Sequence, residues 1–302
     1  MNRSAPRSVE QYLAQLKAAL AGEDPALQQD ALYDAEEYLR AEIAQHKDKS
    51  ESDVLELIAS TYGAPEEVAD AYRTTEATVR AALAPAPRPK PQSALGRFFA
   101  VFGDSRAYTS LFFMLLSLAT GIIYFTVTVT GLSMSAGLIV LIIGVPFFLL
   151  FLGLVRVLAL AEGRLVEALT GTRMPRRPVS ARSDSAWYQR IIEVVKDRQT
   201  WTAMFYMLLQ LPLGIIYFTI AVAGLSIGLA LTGGPIFQLL AQTGIVHLHL
   251  GPHDHVEWAP VWALPLVVAL GVLMLTLLMH LARAIGIMHG HLAKALLVRS
   301  TG

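Results

Sequence analysis

After Tyr108 the chain contains four uncharged apolar stretches, each near the roughly 20 residues with which a helix crosses about 30 Å of hydrocarbon. No other feature limits the fold as strongly. Spans are predicted at about 108–130, 136–160, 201–229 and 261–284, and an even number places both termini on one side. A mean hydropathy of +0.48 with 16% charged residues lies outside the usual balance of soluble domains. The formal charge of +0 hides a split, because the acidic side chains concentrate before residue 92. Without a basic patch interleaved with aromatics, a nucleic-acid partner is not expected. The absence of cysteine excludes disulfides, thiolate metal sites and a cysteine nucleophile. The first 20 residues are polar and amphipathic, unlike a signal peptide, so the first span is expected to direct insertion.

The membrane portion reads as a duplication. Gly121-Ile122-Ile123-Tyr124-Phe125-Thr126 returns as Gly214-Ile215-Ile216-Tyr217-Phe218-Thr219, and Gly131-Leu132-Ser133 as Gly224-Leu225-Ser226. Upstream, Asp104 falls on Asp197; downstream, Arg156 falls on Arg283, and Glu162-Gly163-Arg164-Leu165 on His289-Gly290-His291-Leu292. Each unit is predicted as an interfacial helix, two membrane helices and a short amphipathic exit helix. Arg97, Arg106, Arg156, Arg164, Arg173, Arg176, Arg177, Lys196, Arg198, Arg283, Lys294 and Arg299 flank one face, while the opposite loops carry no Lys or Arg. The positive-inside rule makes that face the cytosol. The repeats run in the same direction, unlike the inverted repeats of many transporters.

The N-terminal region has soluble-helix patterning. Val9, Tyr12, Leu13, Leu16 and Leu20 recur at helical spacing and Gly22 ends the helix. Asp24-Pro25 combines a capping side chain with a proline that tolerates the first turn. Ser50 and Asp53 have capping-box spacing, and Tyr62-Gly63-Ala64-Pro65 ends one helix and begins the next. Four short helices are expected in a cytosolic domain over residues 1–83. Alternating prolines in 84–92 form a semi-rigid linker; an SH3-type ligand is the other reading. Membrane repeats follow over 93–178 and 179–302, the second with a His-rich outer loop at 232–259. The fold class is therefore all-α: a four-helix cytosolic domain and four membrane helices from two parallel repeats.

Two resemblances follow from these residues. Tyr12-Leu13 with Leu16, Asp34-Ala35-Glu36-Glu37-Tyr38 and Tyr62-Gly63-Ala64-Pro65-Glu66-Glu67-Val68-Ala69 resemble the bacterial HAAS/DUF1700 helical domain over residues 8–75. That family implies a protein-interaction role beside PadR-type transcriptional regulators, and makes Glu36, Glu37, Glu66 and Glu67 candidate partner-binding residues. Thr200-Trp201, Leu211-Pro212-Leu213-Gly214, Tyr217-Phe218 and Gly163-Arg164-Leu165 resemble the bacterial "putative sensor" membrane domain over about residues 95–298. That domain occurs fused to histidine kinases. Here the chain ends soon after Arg299 with no phosphoacceptor or nucleotide motif, so a separate kinase or regulator is the expected partner.

Several polar residues compete as sites. His247, His249, His253 and His255, beside Asp254 and Glu257, are four of the eight histidines; imidazoles in His-x-His pairs can take Zn, Cu or Ni. The same loop also reads as solvated chain, or as a group that protonates near pH 6. Arg156 and Arg283 are expected to snorkel to headgroups. Glu162 and His280 are weighed as a proton path and assigned to the interface. Trp187 to Val195 and Phe98, Phe99 and Phe102 form amphipathic surface helices, with Trp201, Tyr108, Trp258 and Trp262 as aromatic anchors. Pro146 and Pro265 bend their helices if they lie inside them, and Gly121 and Gly214 permit close helix contact. No nucleophile elbow, phosphate loop or HExxH occurs, so no enzyme is expected. The leading reading is an inner-membrane sensor or regulator relaying an envelope signal or ligand to a cytosolic partner. Alternatives are a transport-class protein or accessory subunit for a metal ion, lipid or small molecule, and a scaffold that self-associates.

Overall fold

The computed structural model describes residues 5–46, 49–82, 93–138, 144–175, 196–243 and 259–298, which are all-helical and contain no strand. Four helices make the N-terminal unit: α1 (Val9–Ala19), α2 (Pro25–Gln45), α3 (Glu51–Thr61) and α4 (Pro65–Ala82). Their starts follow from capping. Ser8, Asp24 and Ser50 accept backbone N–H groups of Gln11, Ala26 and Asp53, satisfying donors that a first turn leaves open. Glu67 reaches back to the Ala64 N–H at 3.0 Å, the returning half of a capping box. Tyr12, Leu16, Ala35, Leu39, Val54, Leu55, Ile58 and Ala69 form one apolar cluster. Its tyrosines keep their polar ends bonded: Tyr12 donates to the Gly63 carbonyl at 2.8 Å, and Tyr72 to Asp34 at 2.9 Å. Burial pushes both hydroxyls above the ordinary phenol range, so they remain donors. Tyr38 stacks on Tyr62 with centroids 4.4 Å apart.

A short helix α5 (Ala94–Phe99), capped by Ser93, runs through a 3-10 turn into the bundle. The four bundle helices are α6 (Ser105–Leu138), α7 (Gly144–Thr170), α8 (Arg198–Gln242) and α9 (Leu264–Leu297). All four are long and apolar enough to cross a membrane. Their outward residues match between repeats: Phe112 with Phe205, Ile122 with Ile215 and Ile123 with Ile216 are all exposed. Apolar surface of that extent calls for a cover, which a bilayer supplies.

The helices outrun the predicted spans. The amphipathic exit segments are not separate but continue α7 and α9, because nothing at 160–163 or 284–290 breaks the backbone ladder. Residues 136–138 belong to α6 rather than to the second span; just before them the Ser135 hydroxyl bonds the Gly131 carbonyl at 2.6 Å and spares the helix an unmet polar group. α8 continues past 229 into the segment expected as outer loop. Pro235 and Pro212 lie inside it, whereas Pro265 falls in the first turn of α9, where proline is tolerated. Pro146 is the third residue of α7. Near the end of α8, Gln238 clamps the backbone of Ala259 through its amide, at 2.9 and 3.4 Å.

The repeats meet reciprocally, as two copies related by a two-fold axis would. A Cβ on Gly121 would lie 2.7 Å from the Gln210 carbonyl oxygen, and one on Gly214 would strike the carbonyl of Ser117, the repeat equivalent of Gln210. Only residues without a side chain let α6 and α8 touch backbone to backbone there. At the end that carries the helical domain, Arg156 pairs with Asp197 at 3.1 Å and Arg283 with Asp104 at 3.0 Å. Each arginine of one repeat thus takes the aspartate of the other, so both are cross-repeat ties as well as surface groups.

Candidate functional site

A polar centre lies on the repeat axis inside the bundle. α8 carries Tyr206 and Gln210 one turn apart on its inner face, α6 brings Tyr124, and α7 brings Glu162. The Glu162 side chain is fully enclosed, with 0% exposure. Tyr206 donates to its Oε1 at 2.8 Å, Tyr124 to its Oε2 at 3.0 Å, and the Gln210 amide reaches Oε1 at 3.4 Å. Among the described residues no Lys or Arg bonds to it. Hydrogen bonds from neutral donors therefore hold the carboxyl group, as burial of a polar group in an apolar interior requires.

His289, the repeat equivalent of Glu162, completes the centre from α9. Its Nε2 lies 2.8 Å from the Tyr206 hydroxyl, Phe113 packs on its ring with centroids 4.6 Å apart, and Tyr217 meets it edge-on at 5.7 Å. Phe113 is in turn the repeat equivalent of Tyr206. Glu162, Tyr206 and His289 so form one hydrogen-bonded chain across the axis. When Tyr206 donates its hydrogen bond to the Glu162 carboxylate, His289 must donate through Nε2; when the carboxyl group carries the proton and donates to Tyr206, the tyrosine can turn its own hydrogen to the imidazole. The chain can therefore hold a proton at either end. The Tyr217 hydroxyl, His289 Nδ1 and Gln210 Oε1 are buried without a hydrogen-bond partner among the described residues.

Directly after each end residue comes a glycine, and both glycines face one strap of chain. Gly163 packs on the buried Met174, and a Cβ on Gly290 would collide with Thr172 and lie 3.0 Å from the Thr170 hydroxyl. The strap leaves α7 through Gly171, whose φ of +74° suits a residue without a Cβ. Arg173, on the same strap, bonds Asp30 at 3.1 Å and also Glu76. Lys294, in the last turn of α9, reaches Asp24 at 2.5 Å. The helical domain is thus tied to the strap and to α9. A cavity of about 110 Å³ opens beside this joint, lined by Arg156, Asp197, Gln199, Thr200, Met174 and, from the helical domain, Gln29.

The expected site residues fall in several places. Glu162 does not face the surface: it is enclosed in the bundle and bonded to Tyr124 and Tyr206 rather than to the flanking arginines. His280 is engaged elsewhere: its Nε2 bonds the Phe98 carbonyl at 2.9 Å and its ring stacks on Phe98 at 5.3 Å, pinning α5 to α9. Glu36 pairs with Arg40 at 3.0 Å, Glu67 caps α4, and Glu37 and Glu66 are exposed. His247, His249, His253 and His255 lie outside the described residues, as do Trp258 and the segment 187–195. Among the described residues no group of three or more His, Asp or Glu side chains could hold a metal. Tyr206, His289 and Arg173 carry the site and were not singled out; only the alignment of Glu162 with His289 pointed to them.

The chain belongs to the "Putative sensor" family, which it matches over residues 113–297, and it is accordingly a sensor-like membrane protein. No curated protein and no solved structure matches it. The matched region begins at Phe113 and ends at Leu297, so it contains every member of the polar centre, the strap, and both cations that hold the helical domain.

Proposed function

We propose that this protein is a non-enzymatic bacterial inner-membrane sensor whose bundle changes state at the polar centre and relays that state to a cytosolic partner through its N-terminal helical domain. One observation carries the reading: an unbroken line of contacts runs from Glu162 and His289 through Gly163 and Gly290 to Thr170, Thr172 and Met174, and from Arg173 to Asp30 and Glu76. Coupling between distant sites needs such an element with two arrangements that both ends can bias. The Glu162–Tyr206–His289 chain has two proton arrangements, and the strap packs on the glycine that follows each of its ends. The resemblance of residues 8–75 to the HAAS-type domain supports a transcriptional regulator of the PadR type, or a histidine kinase, as the partner.

Because the chain has no cysteine, spin labels at exposed Glu56→Cys and Leu277→Cys report the distance between domain and bundle. In lipid nanodiscs, Glu162→Gln and His289→Gln are expected to shift the distance distribution relative to the parent. Identical distributions in all three proteins would sink the relay. Crosslinking with mass spectrometry in native membranes then identifies the partner.

A second reading is ion-coupled transport, favoured by the same enclosed carboxyl group, since ionisable side chains inside a membrane bundle often mark proton paths. Proton flux in proteoliposomes that disappeared with Glu162→Gln would establish it; no flux above empty vesicles would remove it.

A further inference from the structure

We infer that the cavity beside the joint is a ligand site for a small uncharged amphiphile: a short hydrocarbon with one group that both donates and accepts a hydrogen bond, an alcohol hydroxyl or a carboxamide. The inference rests on the sensor reading proposed above and names the chemistry that would act on it.

The hydrogen-bonding inventory of the wall carries the assignment. Gln199 and Thr200 stand in the first turn of α8, and Arg156 comes from α7. Gln199 donates through Nε2 to the Leu297 carbonyl at 2.8 Å, which settles the two ends of the amide, since only its nitrogen can face a carbonyl. Its Oε1 is the other end, and it is buried without a partner among the described residues. Such an acceptor calls for a donor. Arg156 bonds Asp197 and Thr200 through Nη2 alone, at 3.1 and 3.4 Å, and its other N–H groups bond no described residue. Asp197 also takes the Gln199 backbone N–H at 3.2 Å and the Thr200 hydroxyl at 3.1 Å, so its oxygens are engaged and its charge balances that of Arg156. An anion in the cavity would face Asp197 and the Gln199 oxygen, and a cation would face the guanidinium. An uncharged hydroxyl or amide satisfies both walls, accepting from Arg156 and donating to Gln199. Ala159, Leu160, Met174, Ala203 and Leu297 make the remainder apolar, the usual balance of small-molecule sites. A volume of about 110 Å³ suits a short chain, given that a dry cavity of roughly 150 Å³ takes benzene.

The second repeat shows that the fold does not require this opening. Arg283 and Asp104 make the counterpart ion pair, but Gly286 and Ser110 stand there in place of Ala159 and Ala203, and a Cβ on Gly286 would lie 2.3 Å from the Ser110 hydroxyl oxygen. Ala107, the counterpart of Thr200, packs with Val101 and Met279. The same pair is thus set in close packing in one repeat and in a cavity wall in the other. The cavity is also placed to act. Gly163 directly follows Glu162, Met174 belongs to the strap and Gln29 to the helical domain, and all three line it.

The test photolabels the full chain in nanodiscs of neutral phosphatidylcholine with a diazirine-bearing hexanol and maps the adducts by peptide mass spectrometry. Adducts are expected on Leu160, Met174 or Leu297. Excess 1-hexanol or hexanamide removes them, whereas hexanoate and hexylammonium, both charged at about pH 7, are about tenfold or more weaker as competitors. Gln199→Leu lowers labelling of the cavity about tenfold, measured against lipid-facing Leu150 and Leu266, which report label dissolved in the bilayer. Adducts confined to those two leucines overturn the inference, as does equal competition by hexanoate or unchanged labelling of Gln199→Leu. Should Gln199→Leu fail to fold, the competitor series on the parent protein decides alone. Removal of the adducts by dioleoylglycerol in the disc assigns the hydroxyl to a lipid; removal by hexanol but not by dioleoylglycerol assigns it to a free small molecule. The spin-label distances separate this inference from the relay. A labelled cavity with distances that stay fixed on Glu162→Gln removes only the relay; distances that move without cavity labelling remove only the site.

Discussion

The two repeats agree at their periphery and differ at their centre. Arg156 with Asp197 mirrors Arg283 with Asp104, and Gly121 against Gln210 mirrors Gly214 against Ser117. On the axis, however, a carboxylate faces an imidazole, and a phenol replaces a phenyl ring. Contacts that hold helices together tolerate duplication, because the same surface serves twice. A proton-bearing chain at the axis does not: two glutamates there would repel, and two histidines would leave the phenols no carboxylate to bond. The divergence of Glu162 from His289 and of Tyr206 from Phe113 is therefore what makes the centre of an otherwise symmetric bundle asymmetric.

The largest expected effect tests the shared architecture. Gly121→Leu and Gly214→Leu should each destabilise the bundle by about 3 kcal/mol or more, read as thermal unfolding in detergent. Gly137→Ala, where a Cβ meets open space, should be near neutral. If one glycine variant proved harmless, the reciprocal crossing would be wrong.

A smaller effect tests the broken centre. Tyr206→Phe should cost about 1–3 kcal/mol, since it strips a donor from an enclosed carboxyl group and a partner from His289. Tyr124→Phe removes one donor from Glu162 alone and should cost less by the same assay. Equal costs would mean that His289 gains nothing from Tyr206.

The smallest effect concerns the ion pairs. Double-mutant cycles of Arg156 with Asp197 and of Arg283 with Asp104, each to Gln and Asn, should give couplings of about 0.2–1 kcal/mol. Similar values that both fall in high salt confirm equivalence; a coupling in only one pair would show that the periphery has diverged too.

Hydropathy and internal similarity made the four helices, the common direction of the repeats and the two-unit plan legible, and capping chemistry at Asp24-Pro25, Ser50 and Gly63 marked the starts and stops of the helical domain. The register of the repeats even set Glu162 opposite His289. Burial was not legible. Arg156 and Arg164 flank Glu162 in sequence, which makes it look interfacial, while the phenols that enclose it come from α6 and α8. Arg156 read as a headgroup anchor because its aspartate is 41 residues away. The acids that face the bundle were equally hidden: Glu36, Glu37, Glu66 and Glu67 stood out as dense runs, but which side of α2 and α4 turns to the strap depends on how two domains meet, and local periodicity carries no trace of that.

The crossing at Gly121 and Gly214 also has a mechanical consequence. The paired backbone contacts at this crossing act as a fulcrum. α6 extends 16 residues from Ser105 to Gly121 and α8 the same from Arg198 to Gly214, giving lever arms of about 24 Å at 1.5 Å per residue. A rotation of about 5° there sweeps the ends of these arms by about 2 Å, enough to part an ion pair made at about 3 Å. Both Asp104 and Asp197 ride on those ends, so a displacement too small to disturb the packing around the pivot arrives at the charged face as the difference between a closed contact and an open one.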